Sequence, residues 1–317
     1  MNYLIITALL LTIELIYFKI ADRYNIIDRP NERSSHTRIT LRGGGILFYF
    51  GVLLYGLFFG FAYPWFFAGL TLISAISFAD DVRSVPNRMR LFVHFVSMLL
   101  LFYQLGLFSG VPFWYLLIAL VFCTGIINAY NFMDGINGIT GGYSLAVLLA
   151  LIYINRIQTA YLEPAFLYAV FLSVLVFNLF NFRTRAKCFA GDVGSVSIAF
   201  ILVFALGRLI LQTGDLTYIV LLAVYGVDSI LTIIHRLLLK ENIFRAHRKH
   251  LYQLLANELR VPHVIVSAGY ASLQLLISAG YLWLGRFHLL YTLAVILLLS
   301  IAYVAFKWIF YQRPAAQ

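Results

Sequence analysis

Charge is scarce in this chain. Only 11% of its 317 residues are Asp, Glu, Lys or Arg, and acids are the rarer sign, 13 against 23 basic residues. Cysteine is nearly absent. Cys123 falls inside a predicted helix and Cys188 in a loop, so no disulfide framework is indicated. No His/Cys cluster suggests zinc. A low-complexity tail, a linker and a separate soluble domain are not expected either. A cleaved leader is not expected: no Lys or Arg precedes the first apolar run, Glu14 interrupts it, and no small-residue cleavage pattern follows.

What the chain does contain is apolar. Hydrophobic residues make up 62% of it, more than a soluble core can absorb. Runs long enough to cross about 30 Å of hydrocarbon, at roughly 17 to 25 residues each, number about eleven. They cover Tyr3–Ile20, Gly45–Tyr63, Trp65–Ala79, Met89–Phe108, Phe113–Ala129, Gly141–Ile154, Pro164–Phe182, Val193–Gln212, Leu216–Leu239, His263–Leu284 and His288–Phe310. The third and sixth are short. The expected fold is an all-α integral membrane protein, a polytopic helix bundle forming one domain over residues 1–317.

The net charge of +10 does not point to nucleic acid, because the basic residues are distributed by loop. Twenty of the 23 fall on one side, from Lys19 to Arg42 (with Arg33), Arg83 to Arg90, Arg183 to Lys187, Arg236 to Arg260 (with Arg245), and at Lys307 and Arg313. Only Arg156, Arg208 and Arg286 fall on or near the other. The positive-inside rule then places the N-terminus outside and the C-terminus in the cytoplasm, with attraction to anionic membrane lipids as a by-product.

The acidic groups fall on the same side. Asp80 and Asp81 end the third run, Asp134 follows the fifth and Asp192 precedes the eighth. A carboxylate at a helix end is as readily a cap or an ion-pair partner as a catalyst. Adjacent carboxylates, however, repel unless a cation, a proton or a basic side chain compensates, and such pairs tune a base or hold a metal. Hard oxygen ligands suit Mg²⁺, or Mn²⁺, and through it phosphate.

The stretch NAYNFMDGINGITGG, Asn128 to Gly142, sets Asn128, Asn131, Asp134 and Asn137 among four glycines. Unsatisfied polar groups cost several kcal/mol each in hydrocarbon, roughly, so this stretch is a candidate site for a polar substrate or a hydrated cation. Asn128 and Asn131, three apart, can share one side of a helix end. Asp134-Gly135 and Asn137-Gly138 read as turns. Asp192, in GDVGS, reads as an N-cap or as part of a phosphate seat. Gly43-Gly44-Gly45 reads as close packing or phosphate contact. The run AHRKHLYQ holds His247, Arg248, Lys249 and His250, which suit either a diphosphate clamp or adhesion to the membrane surface. Asp228 and Glu14 are ionisable groups inside apolar runs, open to a functional or a packing role.

In their order, FADDVRSVPNRMRL, NAYNFMDGINGITGG, FAGDVGSVSIAF and AHRKHLYQ resemble the motifs of the polyprenyl-phosphate N-acetylhexosamine-1-phosphate transferases, the WecA-like branch and the related MraY. The resemblance covers most of the chain. It implies an enzyme of the bacterial cytoplasmic membrane, with its active site on the cytoplasmic face. There undecaprenyl phosphate attacks the β-phosphorus of a UDP-N-acetylhexosamine with Mg²⁺ assistance, giving a polyprenyl-diphospho-sugar and UMP and initiating O-antigen or another surface polysaccharide.

Carried over residue by residue, the resemblance makes Asp80 and Asp81 the paired catalytic aspartates. Asp192 becomes the metal-binding aspartate, with Asn131 beside it at the metal. Asn128, Asp134 and Asn137 become nucleotide contacts, and His247, Arg248 and His250 the basic loop near diphosphate and sugar. Asn137 departs from the Asp usual in bacterial relatives, which assigns it to hydrogen bonding rather than to the metal. HRKHLYQ departs from the His-rich run of the muramoyl-pentapeptide branch and favours UDP-N-acetylated sugars, 6-deoxy ones included. The muramoyl-pentapeptide substrate, a transporter or flippase, and a homodimer are the alternatives and partners left open.

Overall fold

The computed structural model describes residues 1–30, 35, 38–109, 112–243 and 247–311. Arg33, Arg245 and Arg313, counted above among the basic residues, lie outside the described residues. The chain runs through helices α1 (Asn2–Arg23), α2 (Leu47–Phe59), α3 (Pro64–Val82), α4 (Asn87–Gln104), α5 (Phe113–Met133), α6 (Ile139–Tyr153), α7 (Pro164–Asn181), α8 (Gly191–Thr213), α9 (Ala223–Leu238), the short α10 (Leu251–Gln253), α11 (His263–Leu284) and α12 (His288–Tyr311). Two short antiparallel strands, β1 (Ile27–Asp28) and β2 (Thr40–Leu41), follow α1.

Among the described residues eight helical segments are long and apolar enough to cross a membrane, so the protein is a polytopic helical membrane protein. The difference from eleven expected runs has physical causes. The segment Gly44–Phe59 is apolar but short. Helix α4 is a full 18 residues but carries Arg88, Arg90, His94 and Gln104. The last segment, His263–Tyr311, contains two helices. Tyr291 Oη donates to the Ile277 carbonyl at 2.8 Å. In a straight helix, residues 14 apart would be separated by about 21 Å, so the chain reverses between α11 and α12.

The expected helix 216–239 is also interrupted. A 3₁₀ segment, Leu216–Leu222, precedes α9. Side chains satisfy the backbone at this break: Gln274 Oε1 accepts from Val224 N–H at 3.2 Å, its Nε2 donates to the Val220 carbonyl at 3.1 Å, and Tyr143 Oη accepts from Tyr225 N–H. Irregular backbone at membrane depth is stable only with such internal partners.

Helix α8 is the axis of the bundle, buried along most of its length. Phe66, Phe166, Phe200 and Phe204 pack one cluster around it, with the Phe66 and Phe204 ring centroids 4.1 Å apart. Ser74 and Ser197 share a buried hydrogen bond of 2.8 Å between α3 and α8.

The Gly43–Gly45 run serves close packing. A Cβ on Gly194 would sit 2.7 Å from Gly45 Cα, and one on Gly45 would overlap Gly194 Cα. This contact lets Gly44 N–H donate to the Phe189 carbonyl at 2.9 Å and Gly45 N–H to that of Ala190 at 3.1 Å, which docks the 40–46 segment on the start of α8. Gly45→Ala is therefore expected to destabilise the protein by about 1–3 kcal/mol, since the obstructing atoms are backbone. Thermal melting in detergent measures it, and an unchanged midpoint would show that the segment can shift.

Candidate active site

The adjacent aspartates at the end of α3 point to different partners, as successive helix positions about 100° apart do. Asp81 is fully buried and reaches the N-terminus of α8. Its Oδ1 accepts from Asp192 N–H and its Oδ2 from Val193 N–H, both at 2.9 Å. Arg42 Nε meets the same carboxylate at 2.7 Å. Asp81 thus satisfies two of the backbone donors that every helix start leaves free. Gly191, at φ +72°, makes room for it: a Cβ there would lie 2.5 Å from Asp81 Oδ2. Asp80 instead accepts from Val85 N–H at 2.7 Å and pairs with Arg90 at 2.7 Å. The repulsion expected between the two carboxylates is relieved by two separate guanidinium groups.

Asp192 lies inside the first turn of α8 rather than capping it. Its Oδ1 contacts Arg42 at 3.3 Å and Asn131 Nδ2 at 3.2 Å, and its Oδ2 lies 3.5 Å from Arg90. Asn131 also donates to Ser195 Oγ at 3.1 Å. With side-chain exposure of 21%, against 0% for Asp81, Asp192 is the carboxylate of this pair with open faces. Asp80, Asp81, Asn131 and Asp192, all picked out in the sequence, therefore converge at one end of the bundle. Arg42 and Arg90 complete the cluster. In the sequence they were indistinguishable from other basic loop residues.

The remaining polar residues sit around this cluster. Asn128 is exposed, one turn before Asn131, in an apolar groove of about 440 Å³ between α5 and α9 that also takes in Tyr225, Arg236 and His247. Asp134 follows α5 and accepts from Thr140 Oγ1 at 2.7 Å. Burial pushes its carboxyl up to about 7, Asp192 and Asp81 adding to the rise and the Thr140 hydrogen bond opposing it.

Asn137 is buried. Its Nδ2 donates to the carbonyls of Arg183 at 2.9 Å and Thr184 at 3.3 Å, so its amide fastens the 183–184 loop instead of projecting freely. It borders a polar cavity of about 660 Å³ whose walls include Arg38, Thr40, Lys187, Phe189 and His263. Phe189, three residues before Asp192, was not distinguished in the sequence. Its only signal is an aromatic ring next to a Gly-Asp turn.

The basic run does not act as one block of four cations. Lys249 Nζ pairs with Glu241. Burial, then the neighbouring His250 and Arg236, pulls the His247 ring down to about 4, which leaves it neutral near pH 7. His250 is buried against Asp228, with Nδ1 3.3 Å from Oδ1. Arg248 is half-buried on the same turn. Tyr252 Oη donates to the Phe132 carbonyl at 2.9 Å, which docks this loop on the end of α5 beside Asn131.

The state of Asp134 predicts a pH effect on stability. An unfolded chain releases this proton near 3.9, approximately, and the folded one near 7. Between those values the folded state holds the extra proton, so this contribution is complete below about pH 4 and is lost as pH rises through about 7. Melting midpoints of the wild type should fall from about pH 5 to about pH 8, and Asp134→Asn should flatten that fall. Parallel profiles would remove Asp134 as its source.

The fold defines a polytopic helical membrane protein with an acidic, arginine-lined cluster at one end, and its similarity to known proteins supports a transferase. Residues 63–209, from the start of α3 through most of α8, match the model of glycosyl transferase family 4. The chain is 28% identical to the undecaprenyl-phosphate alpha-N-acetylglucosaminyl 1-phosphate transferase of Escherichia coli (strain K12), over 95% of this chain and 83% of that protein. It is 25% identical to the probable undecaprenyl-phosphate N-acetylglucosaminyl 1-phosphate transferase of Bacillus subtilis (strain 168), over 75% and 71%. A phospho-N-acetylmuramoyl-pentapeptide-transferase of Listeria welshimeri is 30% identical over 49% of this chain and 56% of its own length. The family read from the four motifs is the one found.

Proposed function

We propose that this protein transfers N-acetylhexosamine-1-phosphate from a UDP-sugar to undecaprenyl phosphate, releasing UMP. The observation that carries the reading is the convergence of Asp80, Asp81, Asn131 and Asp192 with Arg42 and Arg90; their near neighbours in sequence line two different cavities, Asn128 and Phe132 one and Thr40 and Phe189 the other. The apolar groove along α5, with Asn128, Arg236 and His247 at its polar parts, suits a prenyl chain and its phosphate. The polar cavity at Asn137, with Phe189 to stack on a base and Arg38 and Lys187 for phosphate, suits the nucleotide. Asn137 then serves that cavity by holding its wall.

In this reading the lipid phosphate attacks the β-phosphorus directly. A phosphate monoester is largely dianionic near neutral pH, so base catalysis by Asp80 or Asp81 contributes little. What phosphoryl transfer requires is neutralisation and in-line placement of a crowded anion. Asp192 and Asn131 would hold Mg²⁺, and their sparse oxygen set suits an ion that keeps water and substrate phosphates in its shell. Rotation of the Asn131 carboxamide would present its oxygen, and the bound ion would offset charge on the diphosphate. Arg42 and Arg90 keep the carboxylates separated and oriented. By the positive-inside rule the basic loops support a cytoplasmic position for this end of the bundle, in a bacterial cell, where UDP-sugars are made. The product would prime a surface polysaccharide.

The test is to mix purified protein with undecaprenyl phosphate, Mg²⁺ and a panel of UDP-N-acetylhexosamines, and to measure UMP. Release with UDP-N-acetylglucosamine or a 6-deoxy relative is the expected result. Release only with the UDP-muramoyl-pentapeptide would move the chain to that branch, and no UMP with any donor would overturn the reading.

A further inference from the structure

Asp228, on α9, and His250, which directly precedes α10, form a buried pair. Asp228 is 3% exposed and His250 2%. Four donors converge on the Asp228 carboxylate: Leu251 N–H at 3.0 Å, Thr232 Oγ1 at 3.2 Å and His250 Nδ1 at 3.3 Å on Oδ1, and Tyr270 Oη at 2.7 Å on Oδ2. A carboxylate oxygen and a ring nitrogen at this distance attract only with a proton between them, so Asp228 favours the proton on Nδ1. Gln253 N–H also meets the His250 side chain, in a capping box, and donates to the His250 carbonyl at 3.1 Å as well.

The geometry leaves His250 Nε2 as the nitrogen available to a ligand. It is buried, with no hydrogen-bond partner among the described residues. Native structures rarely keep such an atom without a use for it. The ring is fixed in place by its neighbours, its centroid 5.8 Å from that of Tyr252, 6.3 Å from that of Phe132 and 5.0 Å from that of His247. Phe132 directly follows Asn131 on α5, so the ring stands beside the cluster that holds Asp192.

We propose that Asp228 is a positioning residue for the sugar-phosphate transfer, holding His250 through Nδ1–H so that Nε2, once it carries a proton, donates to a phosphoryl oxygen of the UDP-sugar. The inference rests on the transfer reading above. In the protonated ring Nε2–H donates to the diphosphate, and the carboxylate behind Nδ1 offsets the ring's charge, as a carboxylate behind a histidine does in hydrolytic triads. The ring contributes a hydrogen bond and charge to the diphosphate, and no bond to it is made or broken. Asp228, 36 residues after Asp192 in sequence, would then reach the chemistry only through His250.

The experiment combines kinetics with nitrogen NMR of protein labelled with ¹⁵N-histidine, the His250 signals assigned by their loss in His250→Gln. The wild type should show His250 protonated at Nδ1. Asp228→Asn should lower kcat about 10–100-fold, with KM within about threefold, and should mix the ring's tautomers. Tyr270→Phe removes a donor from Asp228 but leaves the ring contact, so its kcat should stay within about threefold of wild type. A wild-type ring protonated only at Nε2 would overturn the proposal even if Asp228→Asn fails to fold. So would an unaltered kcat in Asp228→Asn, or a loss in Tyr270→Phe equal to that in Asp228→Asn, which would mark a packing network. Absence of UMP release by the wild type would overturn the transfer reading instead, and the tautomer would still report on Asp228.

Discussion

Asp192→Asn is expected to lower UMP release by about 10³-fold while leaving the melting temperature nearly unchanged. The substitution keeps the shape of the side chain and removes one negative charge at the point where Arg42, Arg90 and Asn131 meet. An amide oxygen can still accept a hydrogen bond from Arg42 or Asn131, so the packing of α8 should survive. It cannot supply the charge that a divalent cation requires, so binding of Mn²⁺, followed by paramagnetic resonance without substrate, should weaken in parallel. Near-normal turnover with unchanged metal dependence would exclude Asp192 from the proposed metal site.

Asp81→Asn should have a different signature: loss of stability by about 3–5 kcal/mol together with loss of activity. Its carboxylate is the acceptor for two backbone N–H groups of α8 and for Arg42 Nε, all in a buried place. An asparagine offers one acceptor and turns a donor toward the other N–H, which leaves that group and the guanidinium unsatisfied. Asp80→Asn is the internal control. Asp80 holds one N–H and Arg90 at a more exposed site, so its effect on the melting temperature should be smaller. If Asp81→Asn melts like the wild type and yet is inactive, its role is chemical and not the support of α8.

Those two aspartates show how far the sequence could be read. Their adjacency signalled compensation by a cation or a proton, and compensation is what the structure contains. Its form was not legible: two arginines from separate segments, and one helix N-terminus. Asp81 and Asp192 are 111 residues apart, and Arg42 and Asp192 are 150 apart. Nothing local in FADDVRS or in LRGGG specifies that meeting. It follows from the backbone contact of Gly45 with Gly194, which brings the two segments within reach. Asn137 shows the reverse case. Its polarity was evident, but the carbonyls that engage its amide belong to a loop some 46 residues away.

What the sequence determined by itself is local: apolar runs of membrane-spanning length, the placement of acids and bases at the ends of those runs, and four motifs whose order marks the family. These are legible because a helix in hydrocarbon satisfies its own backbone and needs only a sufficient apolar length. The tertiary structure alone decided the break before α9, the division of labour between Asp80 and Asp81, the entry of Arg42 and Arg90, and the pairing of Asp228 with His250. Each of these depends on which distant donor meets which buried acceptor, and that is set by helix packing, not by neighbours along the chain.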